Sequence, residues 1–352
     1  MVDRRIVTIL AAPAAMLGLT AATFAANIEH TIFISVDGLR PDAVTSQSAE
    51  DLPNFHRLRS EAAFTDNART DYDYTSTLPN HVTMFTGRPV MGAAGHDWTS
   101  NSPGPAEQTL HTHKGSYVSS VFDVVRDAGL RAGIFTGKVS LSLFDQSYEL
   151  DAFHHSGSDA NVTNTFVNAM QNDPLSYAVL HFHGPDSAGH NHGWMSEQYH
   201  ASVRTVDGYL QQVFDLVEND PQLKGRTAII LTSDHGGEGT AHWNAALPSI
   251  YTIPLYVWAP GVAAPGADLY ELNPETRLDP LTGRPDNDAP IQPIRHADAT
   301  NLALEMLGLD PIPGSVLNAE QDLVVPEPGS ALLLGLGAAL ALARPRRQRP
   351  AA

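Results

Sequence analysis

The chain has 352 residues, of which 42% are hydrophobic and 17% charged, a composition that suits one large globular domain and argues against disorder. The formal net charge of −18 disfavours a binder of nucleic-acid backbones, because phosphate contacts require clusters of Lys and Arg. An anionic small molecule stays compatible with this charge, since bound divalent metals can reverse the local field. The chain contains no cysteine, which excludes disulfides, thiolate ligands and a cysteine nucleophile.

The first 26 residues have the composition of a secretory signal peptide. Arg4-Arg5 precede an apolar stretch from Ile6 to Phe24, and small residues, Ala25-Ala26, follow it. This order of a basic, an apolar and a small-residue region is typical of a cleaved signal. An N-terminal membrane anchor is the alternative, because the stretch is close to spanning length.

The last residues, 324–352, also differ from the middle of the chain. Pro326-Glu327-Pro328 is followed by an apolar segment from Ala331 to Ala343 and then by four arginines within 344–349. This arrangement resembles the PEP-CTERM sorting tail of exported bacterial proteins. The resemblance implies transport to the periplasm, the outer envelope or the cell exterior, transient association with the inner membrane, and a sorting enzyme that removes the tail. Residues 27–323 then form the predicted catalytic domain.

Between the two ends, short apolar runs alternate with segments of helical periodicity. Runs of this length that are rich in β-branched residues predict buried strands of a parallel sheet, and the alternation predicts a single α/β domain, with a mainly parallel central sheet and helices on both faces. A glycine-rich loop at Gly92–Gly104 is expected at the active site, and Leu269–Pro293 is expected to be a surface excursion. In chain order, the predicted elements are strand Thr31–Val36, helix Leu52–Ala63, a helix from Pro79 to Phe85, helix Tyr117–Ala128, strand Arg131–Thr136, helix Asn161–Met170, strand Tyr177–Phe182, helix Ser196–Glu218, strand Ala228–Leu231, strand Tyr251–Trp258 and helix Asp298–Leu307.

Acidic and imidazole side chains stand where three of these strands end. Asp37 follows the first strand, and Asp234-His235 follow the fourth, just before two glycines that allow a sharp turn. Since catalytic groups of open α/β sheets gather at the carboxyl ends of strands, these side chains are expected at one edge. A carboxylate beside an imidazole suits zinc. The alternative is a surface Asp-His pair that caps a turn.

The third strand is followed by Asp186 and His190, which are four residues apart and would face the same way on a helix. His242 comes seven residues after His235. Together the strand ends supply three carboxylates and three imidazoles, which is enough for two divalent ions, zinc or alternatively manganese. Two such ions about 4 Å apart can hold both the attacking and the leaving oxygen of an in-line displacement.

Thr77 stands before Pro79, at the predicted start of a helix. Free N–H groups at a helix N-terminus attract anions, and a metal that lowers the hydroxyl pKa would make this threonine a nucleophile towards phosphorus. The alternative is a helix N-cap. With the metal ligands, Thr77 indicates phosphoryl transfer through a covalent phospho-threonine.

Four motifs in this order resemble the alkaline phosphatase superfamily, and among its branches the type I phosphodiesterase and nucleotide pyrophosphatase group. They are DGLRPD from Asp37, TLPNH from Thr77, DSAGH from Asp186 and SDHGG up to Gly237, and the match extends from about Thr31 to Leu317. The resemblance implies that one zinc is held by Asp186, His190 and His242. It implies that the other is held by Asp37, Asp234 and His235, with Thr77 bridging towards it as nucleophile.

Two assignments within this resemblance are less direct. The third histidine of the first ion lies much further along the chain in the phosphodiesterases, which makes His296 the rival of His242. We prefer His242 because of its short spacing from His235, and expect His296 to be an exposed or capping residue at the start of the closing helix. Asn101 is the candidate for hydrogen bonding to the phosphoryl oxygens, with an ordinary loop residue as the alternative, while Asn80 is expected to serve the turn.

The predicted function is that of an exported, metal-dependent phosphoric ester hydrolase that acts on a small-molecule ester, with a phosphodiesterase or nucleotide pyrophosphatase preferred. A phosphomonoesterase is the first alternative, because no residue decides between one ester and two. A sulfatase is disfavoured by the absence of cysteine and of a basic residue in the TSTLPN stretch. A non-catalytic exported binding protein of the same fold is the remaining alternative. The sequence does not specify the leaving group or the oligomeric state.

Overall fold

A computed structural model of the chain describes residues 28–261 and 265–325. Its centre is a seven-stranded sheet with the strand order β2-β7-β6-β1-β5-β3-β4. The strands are β1 (His30–Val36), β2 (Ala63–Arg69), β3 (Ala132–Thr136), β4 (Ala152–His155), β5 (Tyr177–Phe182), β6 (Thr227–Thr232) and β7 (Thr252–Trp258).

The sheet is mainly parallel, as predicted. β1 lies in the middle and pairs in parallel with β5 and β6, so that Ile34 is opposite both Leu180 and Leu231. β3 and β4 extend the parallel part, whereas β7 and β2 are antiparallel additions at the other side. All seven residues of β1 are buried, which explains its continuous apolar run.

Both faces of the sheet carry helices and a hydrophobic core. Successive side chains of a strand point to opposite faces, so Phe33 packs into one core while Ile32 and Ile34 pack into the other. The helices are α1 (Pro41–Thr45), α2 (Pro53–Glu61), α3 (Thr77–Thr86), α4 (Leu110–Lys114), α5 (Val121–Asp127), α6 (Ser142–Ser147), α7 (Asp159–Asn172), α8 (Gly184–His192), α9 (Glu197–Asn219), α10 (Pro248–Tyr251), α11 (Leu269–Leu272) and α12 (Asp298–Met306).

Most predicted elements agree with the structure within about two residues at each end, and three predicted segments show instructive differences. α5 begins only at Val121, after the capping box of Ser120. The helix predicted to reach Ala63 ends at Glu61, because Ala63 already belongs to β2. The expected surface excursion is wrong at its start, since Leu269 is fully buried in the core.

Within the described residues, no helix combines the length and the apolar composition needed to cross a membrane. The predicted signal peptide and nearly all of the predicted sorting tail lie outside the described residues.

Candidate active site

The carboxyl ends of three adjacent strands, β6, β1 and β5, converge on one buried group of polar side chains. Asp37 directly follows β1, and Asp234 follows β6 after Ser233. Asp186 lies in the first turn of α8, which follows β5. The candidate ligands predicted from the sequence therefore come together at this edge, as the strand order requires.

The first candidate metal group consists of Asp37, Asp234 and His235, all fully buried. Nε2 of His235 lies 3.5 Å from Oδ1 of Asp37 and 3.3 Å from Oδ2 of Asp234. Among the described residues, no hydrogen bond reaches either of these two carboxylate oxygens. Buried acceptors without donors are rare in folded proteins.

The hydrogen bond on the other side of the His235 ring explains why a cation fits here. Nδ1 lies 2.8 Å from the carbonyl oxygen of Gly236, so Nδ1 carries the proton and Nε2 presents a lone pair. Burial, and then the neighbouring His242, lowers the pKa of His235 to about 3, which keeps the ring neutral. A lone pair thus faces two carboxylate oxygens, an arrangement that a divalent cation satisfies and a hydrogen bond does not.

The second candidate group contains Asp186 and His242, both buried, and it shares His235 with the first group. His190, whose side chain is 38% exposed, lies beside Asp186 and His242. Oδ1 of Asp186, also without a hydrogen bond from the described residues, lies 3.3 Å from Nε2 of His190 and 3.7 Å from Nε2 of His242. Nδ1 of each histidine faces a carbonyl, that of Thr240 for His190 and that of Thr75 for His242, at 3.0 and 2.6 Å. In the neutral rings both Nε2 atoms are therefore acceptors, yet they are 3.1 Å apart. A shared cation would turn this repulsive contact into ligation.

The pKa values of the Asp37 and Asp234 carboxyl groups also indicate that this site favours added positive charge. Burial alone would raise the pKa of Asp37, but the ammonium of Lys138 and a hydrogen bond from His181 hold it well below its usual range. Burial and the negative charge of Asp37 raise the pKa of Asp234 well above its usual range. A further cation between the two carboxylates would favour the ionised form of both. The residues thus fit two divalent ions.

Thr77 lies beside the first group and is the first residue of α3. Its alternative role as N-cap is wrong, since Ser76 occupies that position. Oγ1 of Thr77 lies 3.5 Å from Nε2 of His235 and 3.1 Å from Nζ of Lys138. The hydroxyl is thus held against the candidate ligands at a helix N-terminus, where an anion is favoured.

Asn101 reaches back to the start of the same helix. Its Oδ1 accepts a hydrogen bond of 2.8 Å from the backbone N–H of Leu78, which is next to Thr77. The loop that was expected at the active site therefore does touch it. This bond orients the side chain, and its amide group remains the candidate donor to a phosphoryl oxygen.

His296 was expected to be exposed or capping, and this is wrong. The side chain is fully buried, and Nε2 lies 2.9 Å from Oδ1 of Asn80. Asn80 in turn donates to the carbonyl of Tyr74 and accepts from the N–H of Asp71, so it serves the turn as predicted. His296 completes the support of the turn before Thr77, whereas His242 lies in the candidate metal group.

Sequence reasoning missed three residues of the site. Lys138 bridges Asp37 and Asp186 with Nζ–O distances of 2.8 and 2.7 Å. His181 lies 3.2 Å from Oδ2 of Asp37, and Thr75 holds His242 by its hydroxyl as well as its carbonyl. Lys138 follows β3 by two residues, so the rule that located Asp37 could have found it.

Close backbone packing fixes the two groups relative to each other. Gly38 has a φ of 72°, which strains any residue with a side chain, and a Cβ there would make a tight contact of 3.1 Å with the Cα of Asp186. A Cβ at Gly237 would collide with the ring of Trp194, whose Nε1 donates to the carbonyl of Gly38. The glycines of the DGLRPD and SDHGG motifs therefore permit the approach of α8 to the strand ends.

A central, mainly parallel sheet with a threonine and paired candidate metal groups at its carboxyl edge is an alkaline-phosphatase-like fold. The model of the type I phosphodiesterase / nucleotide pyrophosphatase family matches residues 31–249, more than half of the chain. The chain therefore belongs to this family.

Curated relatives with similar sequences include GPI ethanolamine phosphate transferase 1 of Neurospora crassa, 32% identical over 31% of this chain and 11% of the relative. The same transferase of Mus musculus is 30% identical over 39% of this chain and 15% of its own length. That of Yarrowia lipolytica is 24% identical over 65% of this chain and 26% of its own length. The chain thus matches only a small part of the length of these relatives.

Solved structures confirm the fold. Murine ectonucleotide pyrophosphatase / phosphodiesterase 5, in an inactive form in complex with AMP, superposes with a TM-score of 0.59, 14% identity, and coverage of 81% of this chain and 96% of the other. A 2-O GAG sulfatase superposes with a TM-score of 0.60, 14% identity, and coverage of 85% and 75%.

Proposed function

We propose that the chain is an exported, metal-dependent phosphodiesterase or nucleotide pyrophosphatase that acts through a covalent intermediate on Thr77. The observation that carries this proposal is the position of the Thr77 hydroxyl beside the buried group of Asp37, Asp234 and His235, which shares His235 with the group around Asp186. Acceptors in this arrangement need cations, and a hydroxyl next to paired divalent ions is suited to phosphoryl transfer.

Asp37, Asp234 and His235 would hold one ion and Asp186, His190 and His242 the other, with zinc preferred over manganese for this mixture of imidazoles and carboxylates. When bound, the ions would neutralise charge on the phosphoryl group and lower the pKa of the Thr77 hydroxyl.

In the proposed reaction, side chains of the protein supply the nucleophile and orient the phosphoryl group. Oγ1 of Thr77 attacks phosphorus as the bond to the leaving oxygen breaks, and the hydroxyl proton passes formally to the leaving alcohol. Water then attacks the phosphorus, the bond to Thr77 breaks and the hydroxyl is restored. The α3 N-terminus and the Asn101 amide are placed to orient the phosphoryl oxygens.

Export is proposed from the two chain ends. The signal-like residues 1–26 and the tail at 324–352 together support secretion followed by transient membrane retention. Mass spectrometry of the protein recovered from the envelope and medium of the producing bacterium would detect both cleavages. Intact ends on all recovered protein would contradict the export proposal.

The hydrolase proposal is tested with bis-p-nitrophenyl phosphate, p-nitrophenyl phosphate and p-nitrophenyl sulfate at alkaline pH. We expect hydrolysis of the diester that is lost with a chelator and restored by zinc or manganese. Preferred hydrolysis of the sulfate would instead support a sulfatase. Absence of turnover of all three by the metal-loaded protein would contradict the proposal and support a binding protein.

A further inference from the structure

Lys138 is placed in the site by the turn that follows β3. Its backbone N–H donates to Oγ1 of Thr136 at 3.0 Å, which folds the chain over the strand end. Gly137 precedes it, and a Cβ there would collide with the His183 ring and with Oδ1 of Asp159. The turn is therefore pressed against the start of α8, and the lysine extends across the carboxyl edge towards Asp37.

The ammonium of Lys138 contacts three functional groups from three elements. Nζ lies 2.8 Å from Oδ2 of Asp37, 2.7 Å from Oδ2 of Asp186 and 3.1 Å from Oγ1 of Thr77. The ammonium donates hydrogen bonds to Asp186 and Thr77 and forms an ion pair with Asp37. Lys138 is therefore in direct contact with the proposed nucleophile as well as with both candidate metal groups.

The lysine and the ions would use different oxygens of the same carboxylates. Lys138 binds Oδ2 of Asp37 and Oδ2 of Asp186, whereas Oδ1 of each is the atom without a hydrogen bond among the described residues. The imidazole Nε2 atoms also face the Oδ1 side. The ammonium is thus compatible with bound ions, and it adds to their charge.

The positive charge of Lys138 changes the net charge of the site with two ions bound. The carboxylates of Asp37, Asp186 and Asp234 carry three negative charges, and two divalent ions would bring four positive ones. With neutral imidazoles the net charge would be one positive charge without Lys138 and two with it. A phosphodiester carries one negative charge, while a phosphate monoester carries about two at alkaline pH, because its second pKa is about 6.

We propose that Lys138 is a catalytic residue that gives this site a second activity, the hydrolysis of phosphate monoesters. The proposal rests on the proposed function and extends it to the dianionic products of diester cleavage. In this reaction the Thr77 Oγ1–phosphorus bond forms as the ester bond breaks, and the hydroxyl proton passes to the leaving alcohol. The dianionic phospho-threonine is then cleaved by water to inorganic phosphate and free threonine, and Lys138 stays protonated throughout.

The environment keeps the lysine charged. Nζ lies within 2.8 Å of carboxylate oxygens of both Asp37 and Asp186, and these neighbours favour the charged ammonium. The residue therefore acts as a fixed positive charge beside Oγ1 of Thr77, where charge on the phosphoryl group would be stabilised.

The test compares Lys138→Met with Lys138→Arg, which keeps the charge. For the Met variant we expect kcat/KM for p-nitrophenyl phosphate to fall about 100-fold, within the range for loss of one preorganised charge. For bis-p-nitrophenyl phosphate we expect a fall of less than about tenfold, because it carries one negative charge fewer. The Arg variant should keep a monoester-to-diester ratio close to that of the wild type.

A second readout does not depend on turnover of a monoester. Inorganic phosphate should inhibit diester hydrolysis by the wild type, and its inhibition constant should rise at least tenfold in the Met variant. Metal content is measured for each protein, so that a loss of ions is recognised. Equal losses for both esters, or an unchanged phosphate inhibition constant at equal metal content, would overturn the role of Lys138. A wild type that hydrolyses neither ester would overturn the proposed function itself.

Discussion

Two buried aspartates of this molecule show how a structural carboxylate differs from a binding one. Asp207 on α9 accepts the backbone N–H groups of Asn54 and Phe55 at 3.0 and 2.8 Å, and the side-chain amide of Asn54 at 2.9 Å. Asp234 is equally buried, yet only Oδ1 accepts hydrogen bonds, from Gly38 and His235, while Oδ2 faces a lone pair. Both carboxylates are buried, but within the described part of the chain hydrogen-bond donors reach both oxygens of Asp207 and only one oxygen of Asp234.

This difference separates stability from function. The donors around Asp207 tie α9 to the N-terminus of α2, so its charge is satisfied within the fold. Oδ2 of Asp234 lacks a donor among the described residues at the place where the Asp37 carboxylate and the His235 imidazole converge. The convergence of three such carboxylate oxygens, from Asp37, Asp186 and Asp234, with imidazole nitrogens indicates a cation site more specifically than acidity alone.

The strongest way to test the functional side is to remove the nucleophile. Thr77→Ala should lower kcat for the diester by roughly 10⁴-fold or more, because the covalent step is lost, while metal content persists. Thr86→Ala is the matched control, since Thr86 lies on the same helix and donates only to the Val82 carbonyl. Diester turnover by Thr77→Ala at the wild-type rate would remove Thr77 from the mechanism.

His242 and His296 provide a second comparison between a candidate metal ligand and a buried structural residue. His242→Ala should lose about one of two ions per chain, because one candidate group loses a ligand. His296→Ala should keep both ions but lose about 1–3 kcal/mol of stability, since buried Asn80 loses its partner. Elemental analysis and urea unfolding measure the two quantities. Metal loss in the His296 variant, or equal metal content in both variants and the parent, would refute the assignment.

The aspartate pair itself is tested by charge removal. Asp207→Asn should lower the free energy of unfolding by about 2–3 kcal/mol, with or without chelator, because an amide cannot replace all the accepted bonds. Asp234→Asn should abolish the stabilisation that added zinc gives, and should cost little in chelator, since repulsion from Asp37 is relieved. If the free energy of unfolding responded to chelator in the same way in both variants, Asp207 and Asp234 would not differ as structural and metal-binding carboxylates.

The smallest effect concerns a carboxyl group away from the site. Burial, and then the charge of Asp322, raises the pKa of Glu305 on α12 to about 7. Since this pKa is raised on folding from about 4.5, its stabilising effect is present below pH 4.5 and disappears as the pH rises through 7. Glu305→Gln should therefore stabilise the protein by about 1 kcal/mol at pH 8, a value reduced for partial exposure, with no gain at pH 4.5. Thermal melts of the variant and the wild type at both pH values measure this change in stability. A variant that is more stable than the wild type at pH 4.5 but not at pH 8 would contradict the prediction.

The buried strands were the easiest part of the fold to predict. The predicted bounds Tyr177–Phe182 are those of β5, because a fully buried parallel strand reads as one apolar run. β2 and β4 were missed, since their exposed faces carry polar residues such as Asp66 and His154 and the runs are short. The antiparallel direction of β7 depends on tertiary pairing, and no local pattern specifies it.

The site was predictable where a strand end or a motif marked it. Asp37, Asp234 and Asp186 came from strand ends, and the structure brings them together. Lys138 was missed because a lone lysine after a strand is usually solvent-exposed. The burial of His296 could not be foreseen either, since its partner Asn80 is 216 positions away in the sequence.

The most direct test of the central claim is anomalous diffraction at the zinc edge from crystals of the mature protein grown with zinc. We expect two anomalous peaks about 4 Å apart. One should lie among Asp37, Asp234 and His235, and the other among Asp186, His190 and His242. Ordered side chains at both groups with no anomalous peak between them would contradict it.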